Sequence, residues 1–277
     1  MAFLRRYLRS GAGMAGLLII ATIALGAIAA PWLAPRDPLA IAGPALLPPF
    51  TDARLPLGTD RLGRDMLAGL IHGARASLAV GLAAMVAALA IGSVVGTVAG
   101  FAGGLVDEAL MRVTDAFQVV PRFLLALAFV STLGPSIGTV VIAIALGAWT
   151  EPARLVRAQV LSLRERDFVA AARVIGMHPA EIAFREILPN ALTPALAIAA
   201  LIVAAAVLIE AALSFLGLGD PNIVTWGTMI AEGRNLLRTA PALSLLPGLA
   251  LVITVLGIYL VSEGIGDALE RRGRTTP

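Results

Sequence analysis

The stretch VVPRFLLALAFVSTLGPSIGTVVIAIALGAW, residues 119–149, decides how this chain crosses a membrane. It is apolar almost throughout and is interrupted by Gly134-Pro135. A proline breaks a helix unless neighbouring groups re-satisfy the freed backbone. The stretch therefore predicts two spans, Val119–Leu133 and Ile137–Trp149, joined by a tight turn. Each is short for a bilayer core of about 30 Å, so we expect each helix to continue into water at its polar end.

The composition agrees with a membrane protein. Of 277 residues, 58% are hydrophobic and 14% are charged, whereas an average soluble domain is about 45–50% apolar and about 25% charged. Disorder is excluded, because disordered chains combine low hydrophobicity with high charge. The absence of cysteine excludes disulfides, thiolate metal sites and cysteine nucleophiles. The composition thus predicts an integral membrane protein, and the helical spans predict that it is all-α and polytopic.

Four further apolar runs bring the predicted number of transmembrane helices to six: Met14–Trp32, Leu78–Phe101, Ala195–Leu216 and Leu243–Val261. All 21 basic residues are arginine, and with six spans and a cytoplasmic N-terminus fourteen of them fall inside. Fusing the two short spans would reverse that bias, which the positive-inside rule disfavours. We therefore expect both termini in the cytoplasm. The first apolar run is long for a signal peptide, so an uncleaved span is favoured.

The chain divides into two predicted parts. Seven of the 17 prolines lie between Pro31 and Pro56, which indicates an irregular external segment. Residues 1–70 would hold the N-terminal cytoplasmic tail, the first transmembrane helix and this proline-rich periplasmic segment. Residues 71–277 would form a five-helix core with a cytoplasmic loop at 151–194.

A glycine stripe, Gly81, Gly92, Gly96 and Gly100, follows one face of the second span. Small residues at such spacing let helix backbones approach closely in lipid. Close packing is the favoured interpretation, and pore lining is the alternative.

The polar segment RERDFVAAARVIGMHPAEIAFREILPNALTP, residues 164–194, predicts a short helix with Asp167 as its N-cap and Gly176 as a left-handed terminator. One apolar face would carry Phe168, Ala171, Ala172 and Ile175. Pro179 suits the start of a second helix, and His178 suits a turn or its N-cap. The apolar face could dock in a partner's groove, pack on the protein's own loops or lie in the headgroup layer.

This segment resembles the EAA loop of ABC-importer permeases. Ala170–Gly176 aligns with its first half, and Glu186-Ile187-Leu188-Pro189 follows after nine further residues. Ala170 replaces the usual glutamate and Glu186 the usual isoleucine, which argues against a specific salt bridge to the ATPase but not against docking. The resemblance implies ATPase coupling through Asp167, Phe168, Ala170, Ala171, Ala172, Arg173, Ile175, Gly176, Leu188 and Pro189.

Two other stretches, GTDRLGRDMLAGLIHGARASL (58–78) and EAALSFLGLG (210–219), are similar to the second permease of dipeptide, oligopeptide and nickel importers. The resemblance implies an inner-membrane subunit with the type I ABC-importer (MetI-like) fold. Its partners would be a second, homologous permease in a heterodimer, two cytoplasmic ATPase subunits and a periplasmic or lipid-anchored binding protein. Peptides are the first expected substrate, with nickel chelates and other small solutes behind them.

Several charged residues have two interpretations. Glu210 lies within a predicted span, where a charged side chain is costly. It either faces the translocation path or forms a hydrogen bond to another helix, for which an arginine of the 61–75 region is a candidate partner. Asp60, Arg61, Arg64 and Asp65 precede the second span and either form a paired cap or contact the binding protein. His72 is interpreted as an interfacial polar residue.

Other functions are disfavoured. No P-loop motif occurs, so ATP would be used by partner subunits and this chain would bind no cofactor. Two separated histidines give neither a catalytic set nor a metal site, and the scattered arginines do not suit nucleic acid. An ion-driven secondary transporter would require repeats and several intramembrane acids. A membrane anchor without transport activity is the remaining alternative.

Overall fold

The computed structural model describes residues 7–273, with side chains up to residue 268. Helices α1 (Gly11–Ile28) and α2 (Ala30–Leu33) are followed by the irregular residues 34–65. The long helix α3 (Met66–Ala102) comes next. The predicted proline-rich irregular segment is therefore confirmed from residue 34 onward, because prolines cannot donate the backbone hydrogen bonds of a continuous helix. Its first residue, Pro31, lies in α2 instead.

The middle of the chain forms bent pairs of helices. Helices α4 (Gly104–Val119) and α5 (Arg122–Leu133) meet at 86°, and α6 (Ile137–Ala148) and α7 (Thr150–Leu163) meet at 45°. The turn predicted between α5 and α6 is confirmed: Gly134 has φ +88° and Pro135 follows it. A further helix continues each of the two at its polar end, but through a bend, at Pro121 and after Ala148.

The segment after α7 begins with α8 (Asp167–Val174) and the single turn α9 (Pro179–Glu181). A π-helical turn (Ile182–Ile187) leads into α10 (Leu188–Ala197). The helix then bends by 54° into α11 (Ala199–Phe215).

The chain ends with α12 (Trp226–Gly233), a 3₁₀ turn (Arg234–Leu236) and α13 (Ala242–Gly273). In the described part of the chain, α1, α3 and α13 can each cross a membrane unbroken. Six spans result when each bent pair counts as one, as predicted.

Two helices differ from the apolar runs that predicted them. Helix α3 contains the run Leu78–Phe101 but begins earlier, at Met66, because the Asp65 carboxylate accepts hydrogen bonds from the backbone N–H groups of Leu67 and Ala68. The span expected to be continuous from Ala195 is broken at Ile198. Pro194 lies just before that break and has no N–H to donate.

Helix α3 is the centre of the bundle and packs against α1, α6, α7 and α11. The glycine stripe lies at two of these contacts. A Cβ at Gly96 would lie 2.4 Å from the Ala153 carbonyl oxygen of α7, and one at Gly81 would lie 2.8 Å from Val207 of α11. Such separations are too short for any side chain. The stripe therefore packs helices together, and the packing interpretation is confirmed.

Candidate functional site

The short helix α8 ends as its sequence predicts. Gly176 has φ +79°, and its N–H donates to the Arg173 carbonyl while the Met177 N–H donates to the Ala172 carbonyl. These two bonds form a Schellman motif, which stops a helix at a left-handed residue. The start of the helix differs from expectation. Arg166 occupies the N-cap position without a side-chain bond, and Asp167 is already the first helical residue.

The apolar residues of α8 are divided between two faces. Val169 is fully buried and Ala172 is 6% exposed. Both join a hydrophobic group, which we call the loop cluster: Val156, Val160, Val169, Ala172, Ile182, Ile187, Ala191 and Ala195. This cluster fastens α8 to α7, the π-helical turn and α10.

The adjoining face of α8, continued by its C-cap Ile175, is uncovered. Phe168 is 39% exposed and Ile175 is 76% exposed, and Ala171 is also exposed. The prediction of one apolar face through Phe168, Ala171, Ala172 and Ile175 is therefore wrong in one respect, because Ala172 points inward. Val169 was not predicted on the buried face, although its i, i+3 spacing with Ala172 marks that face.

The other residues assigned to coupling lie close by. Ala170 and Arg173 are exposed on α8. Leu188 begins α10 and packs against the loop cluster, while Pro189 beside it is exposed. The structure thus brings both halves of the predicted loop together through one hydrophobic group.

The turn after α8 is held by local bonds. The His178 Nδ1 accepts a hydrogen bond from the Ala180 N–H at 3.3 Å, so His178 is an N-cap, as one of the two interpretations proposed. Glu181 forms an ion pair with Arg185 one turn later.

Glu210 is buried within α11, with 3% of its surface exposed. Its two carboxyl oxygens accept hydrogen bonds from Ser77 Oγ at 3.4 Å and Ser214 Oγ at 2.7 Å. Ser77 Oγ in turn accepts the Trp226 N–H at 3.3 Å. The expectation of an arginine partner is wrong. Interhelical hydrogen bonding is confirmed, and it joins α3, α11 and the start of α12.

The four charged residues before α3 are placed by the structure. Asp60 accepts the N–H groups of Leu62 and Arg64 at 2.8 Å each, and Asp65 caps α3. The Arg64 guanidinium forms an ion pair with Glu232, with 3.5 Å between Nη1 and Oε1, whereas Arg61 is exposed. The cap interpretation is confirmed for Asp65, whereas Asp60 holds the loop before α3.

A cavity of about 210 Å³ lies between residues 38–66 and α12. Glu232, which the sequence argument missed, lines it together with Asp60, Arg61 and Arg64. Burial raises the pKa of Glu232, and the nearby Asp60 raises it further, while Arg64 and Arg61 oppose the shift. Among the described residues, no group of three or more histidine or acidic side chains is arranged to hold a metal ion.

Comparisons with known families agree with this architecture. Residues 92–275 match the family described as "Binding-protein-dependent transport system inner membrane component". Residues 2–52 match the "N-terminal TM domain of oligopeptide transport permease C".

Individual relatives are similar over nearly the whole chain. The di/tripeptide transport permease DppC of Pseudomonas aeruginosa is 40% identical over 97% of this chain and 90% of its own length. The nickel transport permease NikC of Escherichia coli K12 is 42% identical over 92% of each chain. In structure, the chain matches an inward-facing MetNI methionine ABC transporter with a TM-score of 0.57 and 19% identity, over 76% of this chain and 98% of that one. The chain therefore belongs to the binding-protein-dependent transport system inner membrane components, and it is a permease subunit of an ABC importer.

Proposed function

We propose that this chain forms one half of a translocation pathway for peptides, together with a second, homologous permease. The peptide permeases among its relatives support this substrate class. A nickel chelate is the second candidate, because the nickel permease NikC is equally similar. Identification of the ligand held by the cognate binding protein separates the two: a bound peptide supports the first, and a nickel chelate refutes it.

We place two ATPase subunits on the cytoplasmic side and a binding protein outside. The arginine distribution supports a cytoplasmic location for both termini and for residues 151–194. We assign no catalytic group or cofactor to this chain, so ATP hydrolysis belongs to the partner subunits. The division at residue 70 remains a prediction.

The uncovered face of α8 is the observation that carries the coupling proposal. Phe168, Ala171 and Ile175 expose apolar surface on a helix whose other side is fixed in the loop cluster. A helix that is anchored along one face and exposes apolar side chains along the adjoining face suits a hydrophobic groove in a partner. Because α8 joins α7, the π-helical turn and α10 through that cluster, a displacement of α8 by an ATPase would be passed to three segments of the bundle.

Replacement of Ile175 by glutamate tests this contact. A charge placed in the centre of an apolar interface costs about 2 kcal/mol, which weakens ATPase binding about 30-fold. We expect Ile175→Glu to abolish ATP-driven uptake while the permease still inserts and folds, because Ile175 is 76% exposed.

Ala170→Glu is the matched control, since it adds the same charge to the same helix at an exposed position. It restores the glutamate of the EAA pattern, and we expect uptake to be retained. Copurification with the ATPase and uptake into proteoliposomes are the measurements. Wild-type uptake by Ile175→Glu would refute the contact. Ala172→Glu is a poor test, because Ala172 is buried and its replacement would disrupt the loop cluster.

A further inference from the structure

Two hydroxyl groups inside the bundle have no hydrogen-bond partner among the described residues. Ser93 is 6% exposed and Thr97 is fully buried, and both lie in α3. Serine and threonine in helices commonly donate to the carbonyl four residues earlier. Thr114 and Thr254 do so here, at 2.8 Å and 2.7 Å.

The two hydroxyls lie in the part of α3 that borders the loop cluster. Leu89, Ser93, Thr97 and Phe101 follow one another at four-residue spacing and form a single stripe along α3. Leu89 and Phe101, at its two ends, pack against the loop cluster. Ser93 and Thr97 lie between them along α3, so we place their hydroxyls beside the segment that holds α8.

Two carbonyl groups of that segment lack an α-helical donor. Helix α3 packs on the π-helical turn Ile182–Ile187 and on α10. Pro189 and Pro194 have no N–H, so the α-helical donors to the carbonyls of Arg185 and Asn190 are missing. The same stretch contains the 54° bend before α11. π-Helical turns are frequent at functional sites, where a helix can change its register.

We propose that Ser93 and Thr97 are positioning residues for transport. In the conformation opposite to the one described here, their hydroxyls donate to backbone carbonyls of residues 182–198 and stabilise that conformation. In the present conformation the same hydroxyls are buried without partners, which disfavours it. The pair thus sets the balance between two states of the bundle. This inference rests on the proposed function, because it requires a permease that alternates between two conformations.

Thr97→Val removes one hydroxyl while keeping the shape of the side chain. A net hydrogen bond lost from only one of two states shifts their ratio about fivefold. We expect ATP-driven uptake by the complete importer in proteoliposomes to fall by about that factor. We take the described conformation as that of the nucleotide-free importer, and we expect its melting temperature to stay the same or rise, because no bond is lost in that conformation. Ser93→Ala should behave in the same way.

Thr254→Val is the matched control, since it removes a fully buried threonine hydroxyl that already has a partner. We expect it to lower the melting temperature and leave uptake per folded importer unchanged. Thr97→Ser keeps the hydroxyl and should retain wild-type uptake.

Two results would overturn the inference. One is wild-type uptake by both Thr97→Val and Ser93→Ala. The other is a fall in melting temperature for Thr97→Val as large as that for Thr254→Val, which would mean that the hydroxyl is already bonded. The Ile175→Glu variant tests the ATPase contact separately. Loss of uptake in Thr97→Val together with normal uptake in Ile175→Glu would support this inference and refute the proposed contact of α8.

Discussion

Replacement of Glu210 tests how α12 is held against α3 and α11. The carboxyl group accepts one hydrogen bond from Ser77 and one from Ser214, and Ser77 accepts the first N–H of α12, that of Trp226. Leaving a buried hydrogen-bonding group without its partner costs about 1–3 kcal/mol. Glu210→Ala removes both acceptors, so we expect the free energy of unfolding to fall by about 3 kcal/mol or more.

Glu210→Gln should be milder for a structural reason. The amide oxygen can still accept from Ser214, and the amide N–H can donate to Ser77 Oγ, which has two lone pairs. One acceptor is therefore replaced by a donor and the network is rearranged rather than removed. We expect a loss of about 1 kcal/mol, well below the loss in the alanine variant.

Unfolding of the purified chain in mixed micelles, titrated with a denaturing detergent, measures these differences. Glu263→Gln is the control, because Glu263 is exposed on α13 and its replacement should change stability by less than about 0.5 kcal/mol. The reasoning is refuted if the alanine and glutamine variants lose equal stability. It is also refuted if neither variant differs from the control.

Two further predictions concern helix packing and pH. Gly96→Ala should destabilise the bundle by about 1–3 kcal/mol, because its Cβ would lie 2.4 Å from the Ala153 carbonyl oxygen. Gly26→Ala, in open space on α1, should be neutral or stabilising in the same unfolding assay. Burial raises the pKa of Glu232 above its ordinary value of 4.5, so the folded protein favours the protonated carboxyl group. The stability that this protonation contributes is lost as pH rises through the folded pKa. The stability of wild type relative to Glu232→Gln should therefore fall as pH rises above 4.5; a pH-independent difference would contradict this.

Features of the fold that a single residue type dictates could be predicted from the sequence, whereas those that depend on packing could not. Gly134 and Gly176 were predicted as turns, and both have positive φ, because glycine adopts that backbone conformation without steric cost. The number of spans followed from the lengths of apolar runs and from arginine placement. The inward direction of Ala172 was missed, since α8 is apolar on both sides and periodicity alone cannot say which side is covered.

Lipid adds a second reason why packing could not be predicted. In a bilayer a residue that faces lipid is as apolar as one that faces another helix, so composition does not separate the two. The sharp bends were missed for a related reason. Pro121 indicates that a helix is interrupted, but the 86° angle between α4 and α5 depends on what each helix packs against.

By itself, the amino-acid sequence determined the membrane class of this protein, its six spans, its turns and its family resemblance. Each of these depends on local chemistry: the apolar length of a run, the missing N–H of proline and the free φ of glycine. Only the tertiary structure decided that Glu210 binds hydroxyl groups, one of them on Ser77, 133 residues away in sequence. It also decided that α8 has one fixed face and one free face. Such pairings arise from the packing of whole helices, which local sequence does not specify.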